Sequence, residues 1–177
     1  MGLPFTSMPS NVDESFDPKA ECRSVVEELA VKKVRKIVET LKNEPALWVC
    51  GADTLINLDG KIYGKPLDRD DAGSMLRAFQ GRAHEVISAV ALYNGRAKTI
   101  DRKIVVSNVS FAPLTESEIE WYLDSGEWAG AAGAYKIQGL AACFITEISG
   151  SYSSIIGLPL REFYAMLRDN GYPYGGR

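Results

Sequence analysis

The chain has 177 residues, 46% apolar and 24% charged, which is the balance of an ordinary globular domain. That length suits a single domain, residues 1–177, with a sizeable core. Twenty basic residues against twenty-three acidic ones give a formal charge of −3, which argues against a broad nucleic-acid footprint but leaves room for a small basic pocket.

In chain order, residues 3–8 are expected as a short strand. PKAECRSVVEELAVKKVRKIVETLK (18–42) predicts a long amphipathic helix. Its apolar residues Val26, Leu29, Ala30, Val34, Ile37 and Leu41 recur at spacings of three and four, and Pro18 suits its first turn. ALWVCGA (46–52), bounded by Pro45 and the Gly51 region, reads as a buried strand. TLINLDGKIYG (54–64) predicts a hairpin about Asp59-Gly60. LDRDDAGSMLRAFQG (67–81) predicts a helix capped by Asp68, with an apolar stripe of Ala72, Met75, Leu76 and Phe79 and with Gly81 beyond its end. Residues 83–111 alternate on both sides of Asn94-Gly95, which predicts a long antiparallel hairpin. TESEIEWYLDSG (115–126) opens with Thr115 and Glu118 in capping-box spacing and closes on Gly126. GAAGAYKIQG (130–139) reads as a backbone-lined turn, LAACFITEIS (140–149) as a strand, and LPLREFYAMLRDNG (158–171) as a last helix. Interleaved strands and helices imply an α/β fold with a mixed sheet.

Residue types narrow the chemistry. Cys22, Cys50 and Cys143 share no C-x-x-C spacing and are expected as reduced, mostly buried thiols in a cytoplasmic protein. His84 is the only histidine, so a zinc site is disfavoured and any Ser or Cys nucleophile would depend on it. No P-loop pattern occurs. No apolar run is long enough to span a bilayer, and the first residues lack the features of a signal peptide. Carboxylates, lysines and backbone amides remain, and these suit a hard cation and a phosphate substrate.

Several residues could carry that chemistry, each with a plainer alternative. Asp53, read at the carboxyl end of a buried strand, could bind a cation or take a proton from water, or only cap a turn through Thr54. Lys65, held extended before Pro66, could bind phosphate or be a solvated turn lysine. Lys32, Lys33, Arg35 and Lys36 form a basic cluster on the long helix, most simply a solvated face. Glu14 could be a second metal carboxylate or a loop cap. Gln138, flanked by glycine, could read a base edge through its amide or sit in a turn. GSYSSIIGLP (150–159) could cradle phosphate at a helix start or be structural.

Taken together, GADT (51–54), GKP (64–66), AGAYKIQG (132–139) and GSYSSIIGLPL (150–160) resemble the Maf family of nucleoside triphosphate pyrophosphatases. AGSMLRAFQGRAHEV (72–86) is similar to that family's helix and following strand, so the resemblance runs over nearly the whole chain. It implies an elongated mixed sheet flanked by helices, in two lobes with a cleft between. It implies cleavage of a nucleoside triphosphate between the α and β phosphates, with a divalent cation such as Mg²⁺ or Mn²⁺. By matching motifs, Asp53 is the proton acceptor and a metal ligand, and Glu14 is a second metal ligand. Lys33 and Lys65 contact phosphate, while Thr54 and Gln138 bear on base choice. The Ile-Gln-Gly version with GEWAG upstream resembles the branch preferring dTTP and UTP, including modified pyrimidine nucleotides. A 7-methyl-GTP preference, or a non-catalytic nucleotide-binding protein that regulates septum formation, are the alternatives, and a homodimer is left open. No nucleic-acid or membrane partner is expected. The family begins with a strand and a Ser-x-Ser-Pro-Arg-Arg turn whose arginines contact triphosphate. This sequence starts after the place where that element belongs, its first arginine is Arg23, and Ala131 stands where a lysine is frequent.

Overall fold

A computed structural model describes residues 1–17, 19–41 and 48–173. Its centre is one five-stranded sheet. The strands are β1 (Trp48–Leu58), β2 (Lys61–Tyr63), β3 (Ala83–Asn94), β4 (Thr99–Phe111) and β5 (Ile145–Ser149), in the order β2-β1-β3-β4-β5. The helices are α1 (Cys22–Thr40), α2 (Arg69–Phe79), α3 (Glu116–Asp124), α4 (Tyr152–Ile156) and α5 (Leu160–Asp169).

Local signals place most of these. Leu58 pairs with Lys61 across a two-residue turn in which Asp59 (φ 52°) and Gly60 (φ 82°) are both left-handed, the conformation that twists with the strands it joins. The Asp68 side chain accepts from the Asp71 N–H at 2.8 Å and starts α2. Thr115 and Glu118 form the expected reciprocal box at the head of α3.

The α/β class expected is present, but the sheet is antiparallel rather than mixed: all four strand pairings among the described residues are antiparallel. The physical reason is an inserted strand. α2 joins β2 to β3, which run parallel, but β1 lies between them and opposes both. Three further expectations change. Residues 3–8 form no strand: Pro4 removes one ladder donor, and none of the five strands pairs with the segment. Residues 140–144 form a short 3₁₀ turn, and only Ile145–Ser149 are strand. The strand read as ending near Gly51 runs on to Leu58. Pro18, Pro45 and the beginning of ALWVCGA lie outside the described residues.

Gly51 is glycine because α1 crosses β1 closely there. A Cβ at Gly51 would stand 2.9 Å from Val34 Cγ2 and 3.1 Å from the Ala30 carbonyl. The contact buries Val26, Leu29, Ala30 and Val34 of α1 against Leu55, Ile87, Ala89 and Ala91. The sheet's opposite face carries two separate apolar clusters. Ile56 and Val86 pack with α2 and α3 residues such as Leu76, Phe79 and Tyr122. Val90 and Leu92 pack with Met166 and Leu167 of α5. Between these clusters lies a polar row, Thr54 beside its cross-strand partner Ser88. A polar seam thus separates two apolar masses on this face of the sheet. Of the cysteines, none is bonded; Cys22 is buried as expected, but Cys50 and Cys143 are exposed. No described helix is long and apolar enough to cross a membrane.

Candidate active site

β2 pairs with only Ile56–Leu58, so the preceding half of β1 has an open side. By the alternation of an antiparallel pair, the main-chain groups of Ala52 and Thr54 face that side. Side chains alternate across the sheet, so Asp53 projects toward α1 and Thr54 toward the opposite face. At an open edge both still reach one space. A cavity of about 270 Å³ lies there, lined by Lys33, Asp53, Thr54, Lys65, Lys136 and Gln138 among others. Asp53 therefore sits in mid-strand, paired with Ala89, rather than at a strand end as its sequence position suggested.

On the α1 side, four of the expected residues form one chain of charge. The Lys33 ammonium donates to the Asp53 carboxylate and stands 2.8 Å from Glu14 Oε1. Lys65 Nζ donates to Glu14 Oε2 at 2.7 Å. The helix selects Lys33 from the basic cluster: Lys32, Arg35 and Lys36 border a separate outer groove with Glu27, Glu28 and Glu39. Lys32 Nζ donates to the Asp13 carbonyl, and Asp13 accepts from Ser15, so the loop carrying Glu14 is pinned onto α1.

Environment sets the charge states. Burial pushes the Asp53 carboxyl above its ordinary pKa, and Lys33 pulls it back only in part. Burial also opposes ionisation of Glu14, but its bonds from Lys33 and Lys65 outweigh this and hold it below its usual value. Lys33 loses hydration too, yet its two carboxylate partners raise its pKa. Asp53 is thus the more basic carboxylate, held beside a lysine that stays charged. Among the described residues, no group of three or more His, Cys, Asp or Glu side chains is placed to hold a metal ion. Glu14 and Asp53 are two carboxylates, both held by Lys33.

On the other side, Thr54 Oγ1 lies 2.8 Å from Ser88 Oγ, and Ser88 Oγ donates to the Ser154 carbonyl at 2.6 Å. Gln138 is exposed at the rim. Its loop is held by Glu127, whose Oε2 accepts from the Leu140 N–H at 2.8 Å and lies where a Cβ on Gly139 would fall. The Gly-Ser segment does not present a helix start to the cavity. Ser151 caps Ser154, its N–H is bound by Ser107, and the far end of α4, Ile155–Gly157, lines the space. His84 is no partner for a nucleophile: Nε2 bonds the Tyr135 hydroxyl at 2.8 Å within an aromatic cluster. Sequence reasoning missed Lys136, a third cation in the cavity lining, and Ser88, whose one signal is a lone hydroxyl inside the apolar run VISAVAL.

An α/β domain holds here, at an open sheet edge, a cleft in which a buried carboxylate, a bridging carboxylate and lysines meet partly apolar walls. The Maf-like protein family matches residues 1–170, and the chain belongs to it. It is 42% identical to a dTTP/UTP pyrophosphatase of Hahella chejuensis over 97% of this chain and 84% of that protein. Proteins of the same description from Symbiobacterium thermophilum and Escherichia coli O157:H7 are each 40% identical, over 98% and 94% of this chain and 87% and 83% of their own lengths.

Proposed function

We propose that this protein hydrolyses dTTP and UTP to the nucleoside monophosphate and pyrophosphate, with a divalent cation, in the cytoplasm. The observation that carries the reading is the Asp53–Lys33–Glu14–Lys65 chain at the cavity. Each lysine there is paired with a carboxylate. Phosphate oxygens of a bound triphosphate would take Lys33 and Lys65, and Glu14 with Asp53 would be the carboxylates to hold the cation. Two carboxylates fit an ion of the Mg²⁺ type, which otherwise keeps waters and substrate phosphates as ligands. When bound, that ion neutralises phosphate charge.

The chain's own residues do the rest. Asp53 accepts a proton from the water that attacks phosphorus at the α–β anhydride. The P–O bond to the bridging oxygen breaks, and pyrophosphate leaves with the electron pair. Lys33 and Lys65 stabilise the negative charge that builds on the leaving oxygens. Rigid placement on β1 and α1 supplies orientation. Names of the 40–42% identical relatives support dTTP and UTP as substrates.

The experiment is pyrophosphate release from dTTP, UTP and 7-methyl-GTP with Mg²⁺ or Mn²⁺, for this chain and for Asp53→Asn. Turnover of the pyrimidine nucleotides is expected, with a loss of roughly 10²–10⁴-fold in Asp53→Asn at an unchanged melting temperature. Near-full activity of Asp53→Asn would remove it as the base. Silence of the parent chain with all three substrates, with nucleotide still bound, would favour a binding protein.

A further inference from the structure

Ser88 is wholly buried on β3, between the two apolar clusters, and has no role in the chemistry above. Its hydroxyl has one hydrogen. The Ser154 carbonyl, 2.6 Å away, has no hydrogen to give, so that of Ser88 is committed to it. Thr54 Oγ1, 2.8 Å from Ser88 Oγ, must then be the donor in their shared bond. The direction of the whole row follows: Thr54 to Ser88 to the Ser154 carbonyl. Thr54 is left with lone pairs and no hydrogen toward the cavity it lines.

We infer that Ser88 is a positioning residue that fixes Thr54 as a hydrogen-bond acceptor, so that the cleft favours a base carrying a ring N–H over one carrying a bare ring nitrogen at that place. Uracil and thymine have such an imide N–H; cytosine has an unprotonated ring nitrogen there. The inference rests on the proposed function and adds a cause for its base preference. Gln138 cannot supply the same filter, because an amide offers a donor and an acceptor and turns to suit either. Thr54 cannot turn while Ser88 holds its hydrogen. Ser88, with no exposed surface, has no water to exchange for either partner. α4 secures the arrangement, since Ser151 caps the N–H of Ser154 and thereby fixes the residue whose carbonyl anchors the row.

The test compares kcat/KM for UTP, 3-methyl-UTP and CTP in the parent chain, Ser88→Ala, Thr54→Ser and Thr54→Val. In the parent, methylating the ring nitrogen is expected to cost roughly tenfold to a hundredfold, because a desolvated acceptor is left unmatched. Ser88→Ala frees the Thr54 hydroxyl to rotate and donate, so the UTP-to-CTP ratio should fall at least tenfold. Thr54→Ser keeps the hydroxyl and should keep the ratio, while Thr54→Val should lose it. General loss of stability lowers both rates together and leaves the ratio alone. Thr54 is only partly buried, so its variants stand in if Ser88→Ala does not fold. A parent indifferent to N-methylation, or a ratio within twofold of the parent in Ser88→Ala and Thr54→Val, would overturn the inference while UTP hydrolysis stands. Absence of any UTP hydrolysis by the parent would remove both the functional reading and this one.

Discussion

Lowering the pH from 6.5 should destabilise this protein through one residue, His84. His84 is 3% exposed, its Nε2 is bonded to Tyr135, and its Nδ1 has no partner among the described residues. Burial lowers its pKa to about 4 from an ordinary 6.5. The unfolded chain therefore binds a proton below 6.5 that the folded chain refuses until about 4. Stability from this group is complete above pH 6.5, falls as pH drops toward 4, and levels off below that. A gap of about 2.5 units at 1.36 kcal/mol each amounts to about 3 kcal/mol at most. In a chain of this size each kcal/mol moves the melting temperature by roughly 2–4 °C. The assay is urea unfolding from pH 8 to pH 4, beside proton NMR of the imidazole, whose signals need no assignment because His84 is the only histidine. His84→Phe should be less stable at pH 8, since it orphans the Tyr135 hydroxyl, yet should show a flatter dependence between pH 6.5 and 5. An imidazole titrating near 6.5 in the folded protein, or parallel stability curves for the two chains, would refute the reasoning.

Other consequences are as direct. Asp53 must be ionised to accept a proton, and burial raises its pKa, so the acid limb of kcat/KM should lie above the pH of an ordinary Asp. Lys33→Met removes the charge that draws that pKa down and should shift the limb further up; an unmoved limb would mean that another group titrates. Gly51→Ala brings a Cβ to within 3.1 Å of the Ala30 carbonyl and should cost about 1–3 kcal/mol, read as a lower melting temperature. Because α1 must shift to admit it, Lys33 moves from Asp53 and kcat/KM should fall as well. A stable, fully active Gly51→Ala would show that the helix approach does not set the site.

Local sequence was most informative where one residue closes its own hydrogen bonds. Asp68, the Thr115–Glu118 box and the Asp59-Gly60 turn each answer to neighbours within four residues, so their spacing in the chain is their geometry. The strand around Asp53 was misjudged for the opposite reason. Gly51 looks like punctuation in a linear reading, but its lack of a Cβ serves a helix that lies twenty residues earlier. The wholly antiparallel course of the sheet was likewise invisible to reading in order, because the insertion of β1 between β2 and β3 is a matter of three-dimensional order.

For the site, residue types pointed to Glu14, Asp53, Lys65, Gln138 and a basic helix face, and the family resemblance singled out Lys33 and Thr54; the fold brings these residues to one cleft. What the amino-acid order determined by itself is the set of elements and the chemistry available: a carboxylate and lysine repertoire, with no thiol pair and one histidine. Only the tertiary structure decided which lysine of a basic helix meets Asp53, which carboxylate is made basic by burial, and which way the Thr54 hydroxyl points. Those outcomes depend on distance across the fold, on lost hydration and on where a single hydrogen is committed. None of these is a property of a residue or of its neighbours in sequence; each is set by what packs against it.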